Sequence, residues 1–332
     1  MTGEARRDLT ITVVICCFTL DRWDDLVTAR MSLASQTRAP DRVVVVVDHD
    51  AALLAAARSR FADTVVVANT GTRGLSDARN TGVNAAGDAD VVLFLDDDAA
   101  AEPEWVERMT APFADPAVAG VSGFAVPRWD APGRPSWFPE EFLWVIGCSH
   151  RGLPADGGLL RNPIGSAMAF RRTALRDAGG FAVSLGRVGR SAGGCEETEL
   201  SLRVLEADPS ATIRLAAGAR VHHRVRADRQ TIRYFVRRCV GEGISKAGVE
   251  RRHRGGDVLR TERAFARTTL LTAWWRALRR GVVRLDRASL ARAAVIAMGL
   301  AATGAGFVLG RFRAEDDVAP PSVPLASAGV PS

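Results

Sequence analysis

Four short runs of apolar and β-branched residues alternate with helical patterns in the first hundred positions. The runs cover residues 10–17, 42–48, 63–69 and 90–98. Such alternation predicts an α/β fold with three layers, α/β/α, around a mostly parallel sheet. Ligands of these sheets bind beyond the carboxyl ends of the strands. Asp48 and the cluster Asp96–Asp98 both stand at predicted strand ends, so we expect them to face one crevice.

The fourth run, "VVLFLDDD" (residues 91–98), leads five apolar residues directly into three aspartates. Adjacent carboxylates repel one another and resist burial unless positive charge lies between them. One interpretation is a solvated acidic turn or a helix N-cap. The other is a site for Mg²⁺ or Mn²⁺ that bridges to a nucleotide diphosphate, because these cations prefer oxygen ligands and complete their shell with phosphate.

Two common nucleotide-binding classes are disfavoured by the sequence. It has no GxGxxG after the first strand and no GxxxxGK[ST]. This argues against a dinucleotide-dependent dehydrogenase and a P-loop NTPase.

Basic residues concentrate in one segment of the chain. The net charge is +6, but residues 224–280 hold fifteen Arg and one Lys against five acids, which leaves −5 for the rest. A basic segment on an acidic body predicts a local anionic partner, such as lipid headgroups or phosphate, and no nucleic acid. The five scattered cysteines show no metal spacing or disulfide framework, and no signal peptide is evident, so we expect a cytoplasmic protein.

The pattern changes after the sheet-forming part. An α/β domain is predicted over residues 8–226, a basic, amphipathic helical segment over 227–312, and a disordered Pro- and Ser-rich tail over 313–332. Residues 293–310 are apolar and at the lower length limit for crossing a bilayer, so this stretch either spans a membrane or lies on it. Residues 74–86 predict a helix with Ser76 as N-cap.

Seven ordered pieces of the chain resemble glycosyltransferase family 2, whose members have the Rossmann-like GT-A fold. They are "VVICCFTLDRW", "VVVVVDHD", "NTGTRGLSDARNTG", "FLDDDA", "NPIGSAMAFRR", "GGCEETELSLR" and "VHHRV". The resemblance covers roughly residues 10–250. It implies an inverting, metal-dependent enzyme that moves a sugar from a nucleotide-diphosphate sugar, most simply UDP-linked, to a hydroxyl. The acceptor implied is a lipid-linked sugar or a polysaccharide, and the enzyme would be peripheral at the inner face of the plasma membrane.

The resemblance implies which residues bind the nucleotide. Thr19 and Arg22 would lie in the first loop that touches it, and Asp48 would hold the base. Arg79 and Asn80 would line the pocket.

Three further positions complete that donor set. Gly74 would allow close approach of the chain to the nucleotide. Asp96 would lie near the ribose, and Asp97 would stand between two ligand-binding acids, where it could simply cap the turn.

The resemblance also implies the metal ligands and the catalytic base. Asp98 and Asp96 match the family's DXD element, which holds Mg²⁺ or Mn²⁺. His222 or His223 would complete the metal shell, and alternation along a strand allows only one of them to face the site. Glu197 would take the proton from the acceptor hydroxyl, with Glu196 as the alternative base.

Some interpretations stay open at this point. The acids at the start of residues 196–207 would also stabilise a helix N-terminus. Trp137, Phe138 and Trp144, in a Pro-rich stretch, would be either core aromatics or a platform for stacking a sugar. A nucleotide-sugar-binding protein without catalysis, or a nucleotidyltransferase, remains an alternative, although residues 16–23, "CCFTLDRW", lack the Gly-rich loop and Lys of the latter.

Overall fold

The computed structural model describes residues 9–187, 194–253 and 258–312. Within them, nine strands form one sheet: β1 (Ile11–Cys17), β2 (Arg42–Asp48), β3 (Val65–Asn69), β4 (Val91–Asp96), β5 (Ala99–Ala101), β6 (Val118–Trp129), β7 (Leu159–Leu160), β8 (Ala167–Arg171) and β9 (Thr212–Val225). The α-helices are α1 (Trp23–Ala34), α2 (Ala51–Arg60), α3 (Leu75–Asn84), α4 (Trp105–Thr110), α5 (Arg172–Asp177), α6 (Glu196–Ala207), α7 (Ile232–Arg252), α8 (Arg260–Phe265), α9 (Leu271–Val283) and α10 (Arg287–Arg311).

The sheet is mixed, whereas the sequence predicted a mostly parallel one. Its order is β3-β2-β1-β4-β8-β6-β9-β5, with β7 beside β9. The first four strands pair in parallel, as the alternation predicted. β8 then pairs antiparallel with both β4 and β6, and β5 antiparallel with β9. The difference arises after residue 100, where the strands no longer alternate with crossover helices.

Helices cover both faces of the sheet, which confirms the three-layer α/β fold. Odd-numbered residues of β1, such as Val13 and Ile15, pack in one buried cluster with α1, α2 and α4. Val14 packs in a second cluster with α3, α5 and α6 on the opposite face. Because strands of this kind are buried on both faces, their apolar runs are continuous.

The start of α3 differs from the prediction. Its N-cap is Gly74, with φ of 139°, and Ser76 already lies inside the helix. The Ser76 hydroxyl instead donates a hydrogen bond to the Leu185 carbonyl at 2.7 Å. The backbone at residue 74 needs a conformation that favours glycine, so the helix begins there and not at the better capping side chain.

The aromatic stretch before residue 147 forms core and no exposed stacking platform. Phe138 and Phe142 are fully buried and pack against Phe235 of α7, with ring centroids 5.7 and 5.2 Å apart. Trp137 packs against the same Phe235 ring at 6.2 Å. These contacts join the sheet domain to the C-terminal helices through a third buried cluster.

α7 and α10 pack with their backbones in close contact. A Cβ at Gly243 would lie 2.1 Å from the Thr303 carbonyl oxygen, and one at Gly306 would lie 2.1 Å from the Val240 carbonyl oxygen. Only glycine permits this approach. α10 is long and apolar enough to cross a membrane, although 33% of its apolar window is buried inside the protein. The predicted tail, 313–332, lies outside the described residues, and the predicted domain boundaries stay a prediction.

Candidate active site

A cleft of about 780 Å³ opens at the carboxyl ends of β1, β2 and β4. This volume suits a small-molecule ligand. Of the residues that the resemblance pointed to, Thr19, Arg22, Asp48 and all three acids of Asp96–Asp98 line it. The strand-end acids therefore share one crevice, as the alternation predicted.

Asp48 is held by its neighbours at the end of β2. One carboxylate oxygen accepts a hydrogen bond from Asn69 Nδ2 at 2.8 Å, and the other accepts one from the Gly74 N–H at 3.0 Å. His49 Nδ1 lies 2.9 Å from the first oxygen. Gly74 thus contributes its backbone N–H to fix Asp48 at the cleft wall.

Arg79 and Asn80 lie beneath the cleft. Its wall on α3 is formed by Leu75 and Ala78. Asn80 Nδ2 donates to the Phe181 carbonyl at 2.9 Å, and the Phe181 N–H donates to Asn80 Oδ1 at 2.8 Å. Both polar atoms of the amide are thereby used for structure. Asn80 is not among the residues that line the cleft, whereas the resemblance implied that it lines the nucleotide pocket.

Asp96, Asp98 and His223 converge at the cleft floor. One ligand atom from each lies within 4.8 Å of the others. His223 Nε2 is 3.1 Å from Asp98 Oδ1 and 3.9 Å from Asp96 Oδ2. The register of β5 with β9 creates this arrangement, because it pairs Ala99 with His223 and so sets the imidazole beside Asp98.

His222 is not part of this cluster. Its Nε2 lies 3.0 Å from Glu102 Oε1, and its side chain is 44% exposed. Successive residues of a strand point to opposite faces, so only His223 can face the cleft. Of the two histidines proposed from the sequence as metal ligands, the structure brings only His223 to the acids.

Positive charge surrounds Asp98. Arg229 donates to Asp98 Oδ2 at 3.1 Å, and Arg22 lies 3.4 Å from the same oxygen. Burial by itself would raise the pKa of Asp98, but His223 and Arg229 hold it well below its usual value. Burial also opposes the charged form of His223, yet Asp98 raises the pKa of that imidazole to about 10. Asp98 is therefore a carboxylate at neutral pH.

Asp97 contacts the first loop through an arginine that it shares with Asp98. Arg22 donates to its Oδ1 at 2.8 Å, and the Arg22 guanidinium also lies over the Phe18 ring at 5.1 Å. Burial, together with the neighbouring carboxylate of Asp98, raises the pKa of Asp97 to about 7 despite Arg22. Asp97 anchors the first loop to the strand end, and its contact with the nucleotide stays a prediction.

Arg79 connects the aspartate cluster to the acids of α6. Its two terminal nitrogens lie 2.8 Å from Glu196 Oε1 and 3.6 Å from Asp96 Oδ1, and it also donates to the Gly165 carbonyl at 3.0 Å. Its guanidinium carbon is 5.4 Å from the Phe181 ring centroid. Glu196 is thus a buried ion-pair partner.

Glu197 lacks such a partner among the described residues. Burial, with the neighbouring charge of Glu196, raises its pKa to about 8. Both acids lie in the first turn of α6, where the helix dipole favours negative charge. A carboxylate with a raised pKa is suited to accepting a proton.

The residue before the pair, Cys195, holds the start of α6 in an unusual conformation. Its φ is +69°, a left-handed value that costs a side-chain-bearing residue free energy. Its Sγ donates to Glu242 Oε1 at 3.3 Å on α7. Lys246 lies 3.1 Å from Glu242 and 2.7 Å from Glu262, and Arg161 lies 2.6 Å from Glu262. This ion-pair network supports α6 from behind.

Several cleft residues were missed by sequence reasoning. They come from one part of the chain, just before α7 and in its first two turns: Arg226, Asp228, Arg229, Thr231, Arg233, Tyr234, Arg237 and Arg238. Arg187 also lines the cleft. The available signal was the excess of Arg after residue 224, which had been assigned to a partner surface and not to the cleft.

Comparisons with known proteins agree on one family. The family model described as Glycosyl transferase family 2 matches residues 12–179. The chain is similar to the glucosyl-dolichyl phosphate glucuronosyltransferase of Haloferax volcanii, with 32% identity over 242 residues, 72% of this chain and 76% of that protein.

Two solved structures show the same fold. A mannosyltransferase of Pyrobaculum calidifontis, in complex with GDP-Man and Mn²⁺, superposes with a TM-score of 0.61 at 16% identity over 91% of this chain and 88% of that one. GalNAc-T7 with UDP, GalNAc and Mn²⁺ superposes with a TM-score of 0.50 at 18% identity, over 66% of this chain but only 44% of that longer one.

Proposed function

Because this chain belongs to glycosyltransferase family 2 and is a glycosyltransferase of GT-A fold, we propose that it transfers a sugar with inversion from a UDP-sugar to a hydroxyl of a lipid-linked sugar. The observation that carries this proposal is the convergence of Asp96, Asp98 and His223 at the strand ends. Arg79 connects this cluster to the start of α6, because it lies 3.6 Å from Asp96 and 2.8 Å from Glu196, the residue before Glu197.

The aspartates and the histidine fit a divalent cation. Carboxylate oxygens suit Mg²⁺ and Mn²⁺, and Asp98 is ionised. Asp96, Asp98 and His223 would hold the ion, and His223 would release its proton on binding, because only the neutral imidazole is a ligand. When bound, it would supply positive charge to the departing diphosphate.

Arg22 and Arg229 add positive charge from the protein at the same place. Both already contact Asp98. They would keep that carboxylate ionised and favour a bound diphosphate in the cleft through charge-assisted hydrogen bonds.

Glu197 would act as the general base. Its carboxylate would accept the proton of the acceptor hydroxyl while that oxygen attacks the anomeric carbon, which gives inversion without a covalent intermediate. Glu196 is occupied by Arg79 at 2.8 Å and would position its neighbour. The alternatives of an inactive binding protein and a nucleotidyltransferase are not retained, since the family and the similar curated enzyme are glycosyltransferases.

The lipid-linked acceptor is proposed from two features. The similar protein of Haloferax volcanii is named for a dolichyl phosphate-linked substrate. In addition, α9, α10 and their ends expose large apolar side chains, among them Trp275 (61%), Leu285 (85%) and Phe312 (83%), beside several arginines. Such a surface suits peripheral binding to an anionic bilayer, which we assign to the cytoplasmic face. Binding to anionic vesicles should therefore weaken as salt rises.

The test is a transfer assay. Full-length protein is incubated with UDP-, GDP- or dTDP-sugars, Mn²⁺ and a short-chain isoprenoid phosphate glucoside, with and without chelator, and product configuration is read by NMR. We expect metal-dependent transfer with inversion from a UDP-sugar, lost in Asp98→Asn and retained in Asp177→Asn, an exposed control. Transfer that survives the chelator would refute the metal site, and retained configuration would refute the role of Glu197.

A further inference from the structure

Both carboxylate oxygens of Asp98 already contact basic side chains of the protein. Oδ1 lies 3.1 Å from His223 Nε2. Oδ2 lies 3.1 Å from Arg229 and 3.4 Å from Arg22. The Asp98 side chain is only 2% exposed, so these contacts are shielded from solvent. A divalent cation that uses Asp98 therefore enters a place where positive charge is already present.

The two arginines at Asp98 differ in what else holds them. Arg22 also donates to Asp97 Oδ1 at 2.8 Å and lies over the Phe18 ring, so it stays fixed when its longer contact with Asp98 is lost. For Arg229, Asp98 is the only carboxylate within salt-bridge distance in the described part of the chain. Of the two arginines, Arg229 is thus the one whose ion pairing depends on Asp98 alone.

The backbone that carries Arg229 is fixed, whereas its side chain lies at the cleft. Arg229 belongs to the short 3-10 turn Ala227–Gln230, between β9 and α7. Its N–H donates to the Arg226 carbonyl at 2.9 Å, and the neighbouring Gln230 Nε2 donates to the Val225 carbonyl at 3.1 Å. The Arg229 side chain lines the cleft. An exchange of its partner therefore requires a movement of the side chain and no movement of the turn.

Arg229 and a divalent cation would compete for the same carboxylate. Two positive charges beside one carboxylate repel each other, and the repulsion is stronger where solvent is excluded. Arg229 therefore opposes the binding of a cation that arrives alone. A diphosphate removes this conflict, because its oxygens accept hydrogen bonds from a guanidinium and also bind Mg²⁺ or Mn²⁺.

We infer that Arg229 couples metal binding to nucleotide binding, because it pairs with Asp98 until the diphosphate of the donor takes over its guanidinium. This inference rests on the proposed function, which supplies both the metal and the diphosphate. Arginine suits the exchange, since the same N–H groups bind a carboxylate or a phosphate. The metal alone would bind weakly, and the metal together with the nucleotide would bind tightly.

Arg226 offers a matched control for the charge of Arg229. It lines the same cleft and donates to the Asp21 carbonyl at 3.4 Å, but no carboxylate in the described part of the chain lies within salt-bridge distance of it. Arg226→Gln therefore removes one positive charge from the cleft and leaves the contacts of Asp98 in place. Arg229→Lys is a second control, because it keeps a positive charge beside Asp98.

The experiment is a calorimetric titration of the full-length protein with Mn²⁺ in the absence of nucleotide, followed by titration with UDP with and without Mn²⁺. We expect Mn²⁺ alone to bind about tenfold more tightly to Arg229→Gln than to the wild type. Mn²⁺ should raise the UDP affinity of the wild type by about tenfold or more and that of Arg229→Gln by much less, because coupling is reciprocal. Arg226→Gln and Arg229→Lys should keep the wild-type affinity for Mn²⁺ alone within about threefold. A damaged fold would not produce a gain of metal affinity.

Other outcomes overturn the inference. If Arg229→Gln binds Mn²⁺ alone no more tightly than the wild type, Arg229 does not oppose the metal. An equal gain in Arg226→Gln would assign the effect to the overall charge of the cleft. Should thermal denaturation show that Arg229→Gln is unfolded, the wild type decides, and a UDP affinity that is the same with and without Mn²⁺ excludes the coupling. If neither Mn²⁺ nor UDP binds the wild type, the proposed function itself fails.

Discussion

Two pairs of adjacent acids, Asp97–Asp98 and Glu196–Glu197, have different surroundings. At the end of β4, Asp98 is contacted by His223, Arg229 and Arg22, and its pKa is well below the usual value. At the start of α6, Glu197 has no cationic contact within the described part of the chain, and burial raises its pKa to about 8. Two carboxylates of similar chemistry are thus tuned in opposite directions by what surrounds them.

The difference matches the two tasks proposed for these acids. A metal ligand must be ionised when the ion binds, and the positive neighbours keep Asp98 ionised, but they would have to give up their contacts with its oxygens to the metal. A general base must gain a proton during the reaction, so strong cationic contacts would hinder it. In each pair, the other acid binds an arginine: Asp97 binds Arg22, and Glu196 binds Arg79.

The largest effect should come from substituting the two glutamates one at a time. Glu197→Gln removes the proposed base, and we expect the transfer rate to fall by up to about 10⁴-fold. Glu196→Gln only loosens the Arg79 contact, so its rate should fall by about 10- to 100-fold through misplacement of its neighbour. Single-turnover kinetics with saturating donor and acceptor measure both. A larger loss in Glu196→Gln would reverse the assignment.

The aspartates offer the next test. Asp98→Asn should weaken Mn²⁺-dependent UDP binding and lower the rate on the order of 10³-fold, because a charged ligand oxygen is lost. Asp97→Asn keeps the ligand set and should change Mn²⁺ affinity by only about threefold. Calorimetric titration of Mn²⁺ in the presence of UDP separates the two variants. Equal losses would show that the acids act as one group.

The ion-pair network behind α6 tests whether the glutamates depend on α7. Lys246→Met leaves Glu242 and Glu262 without their shared cation, and we expect the free energy of unfolding to drop by about 3 kcal/mol. Lys246→Arg keeps the charge and should recover most of that loss. Urea denaturation gives the stability. Unchanged stability in Lys246→Met would mean that the network does not hold the Cys195 turn.

The smallest effect concerns pH. Glu197 keeps its proton in the folded protein up to about pH 8, while the unfolded chain releases it near the ordinary value of 4.5. Folding is therefore favoured fully below about pH 4.5 and progressively less up to about pH 8. Glu197→Gln lacks this decline and should be more stable than the wild type at pH 9, with little difference at pH 5.

The matching kinetic expectation has the opposite slope. Since the base must be ionised, the transfer rate of the wild type should rise with pH through about 8. Thermal denaturation and a pH–rate profile, recorded on the same preparation, test both directions. A stability difference that is constant from pH 5 to pH 9 would contradict the raised pKa.

The first half of the fold was accessible from the sequence because its pairing is regular. β1 to β4 are separated by single helices, and their apolar runs place Asp48 and Asp96–Asp98 at one sheet edge whatever the details. The second half was not. Whether His222 or His223 faces the acids depends on the register of β5 with β9, a contact between segments more than a hundred residues apart.

The same limit applies to the cations of the site. Arg229 meets Asp98 across 131 residues, and Arg79 meets Glu196 across 117. Hydrophobic periodicity gives the faces of elements but no pairing between distant ones. Composition did show the excess of Arg after residue 224, yet a count of charges does not tell which surface those side chains face. Only the placement of α7 turned that excess toward the cleft.

The glycine contacts between α7 and α10 make the two helices one rigid body. Gly243, where they cross, is ten residues from Arg233, a distance of about 15 Å along the helix. A bilayer that holds α10 would therefore set the height of Arg233 above it, and with it the height of the cleft.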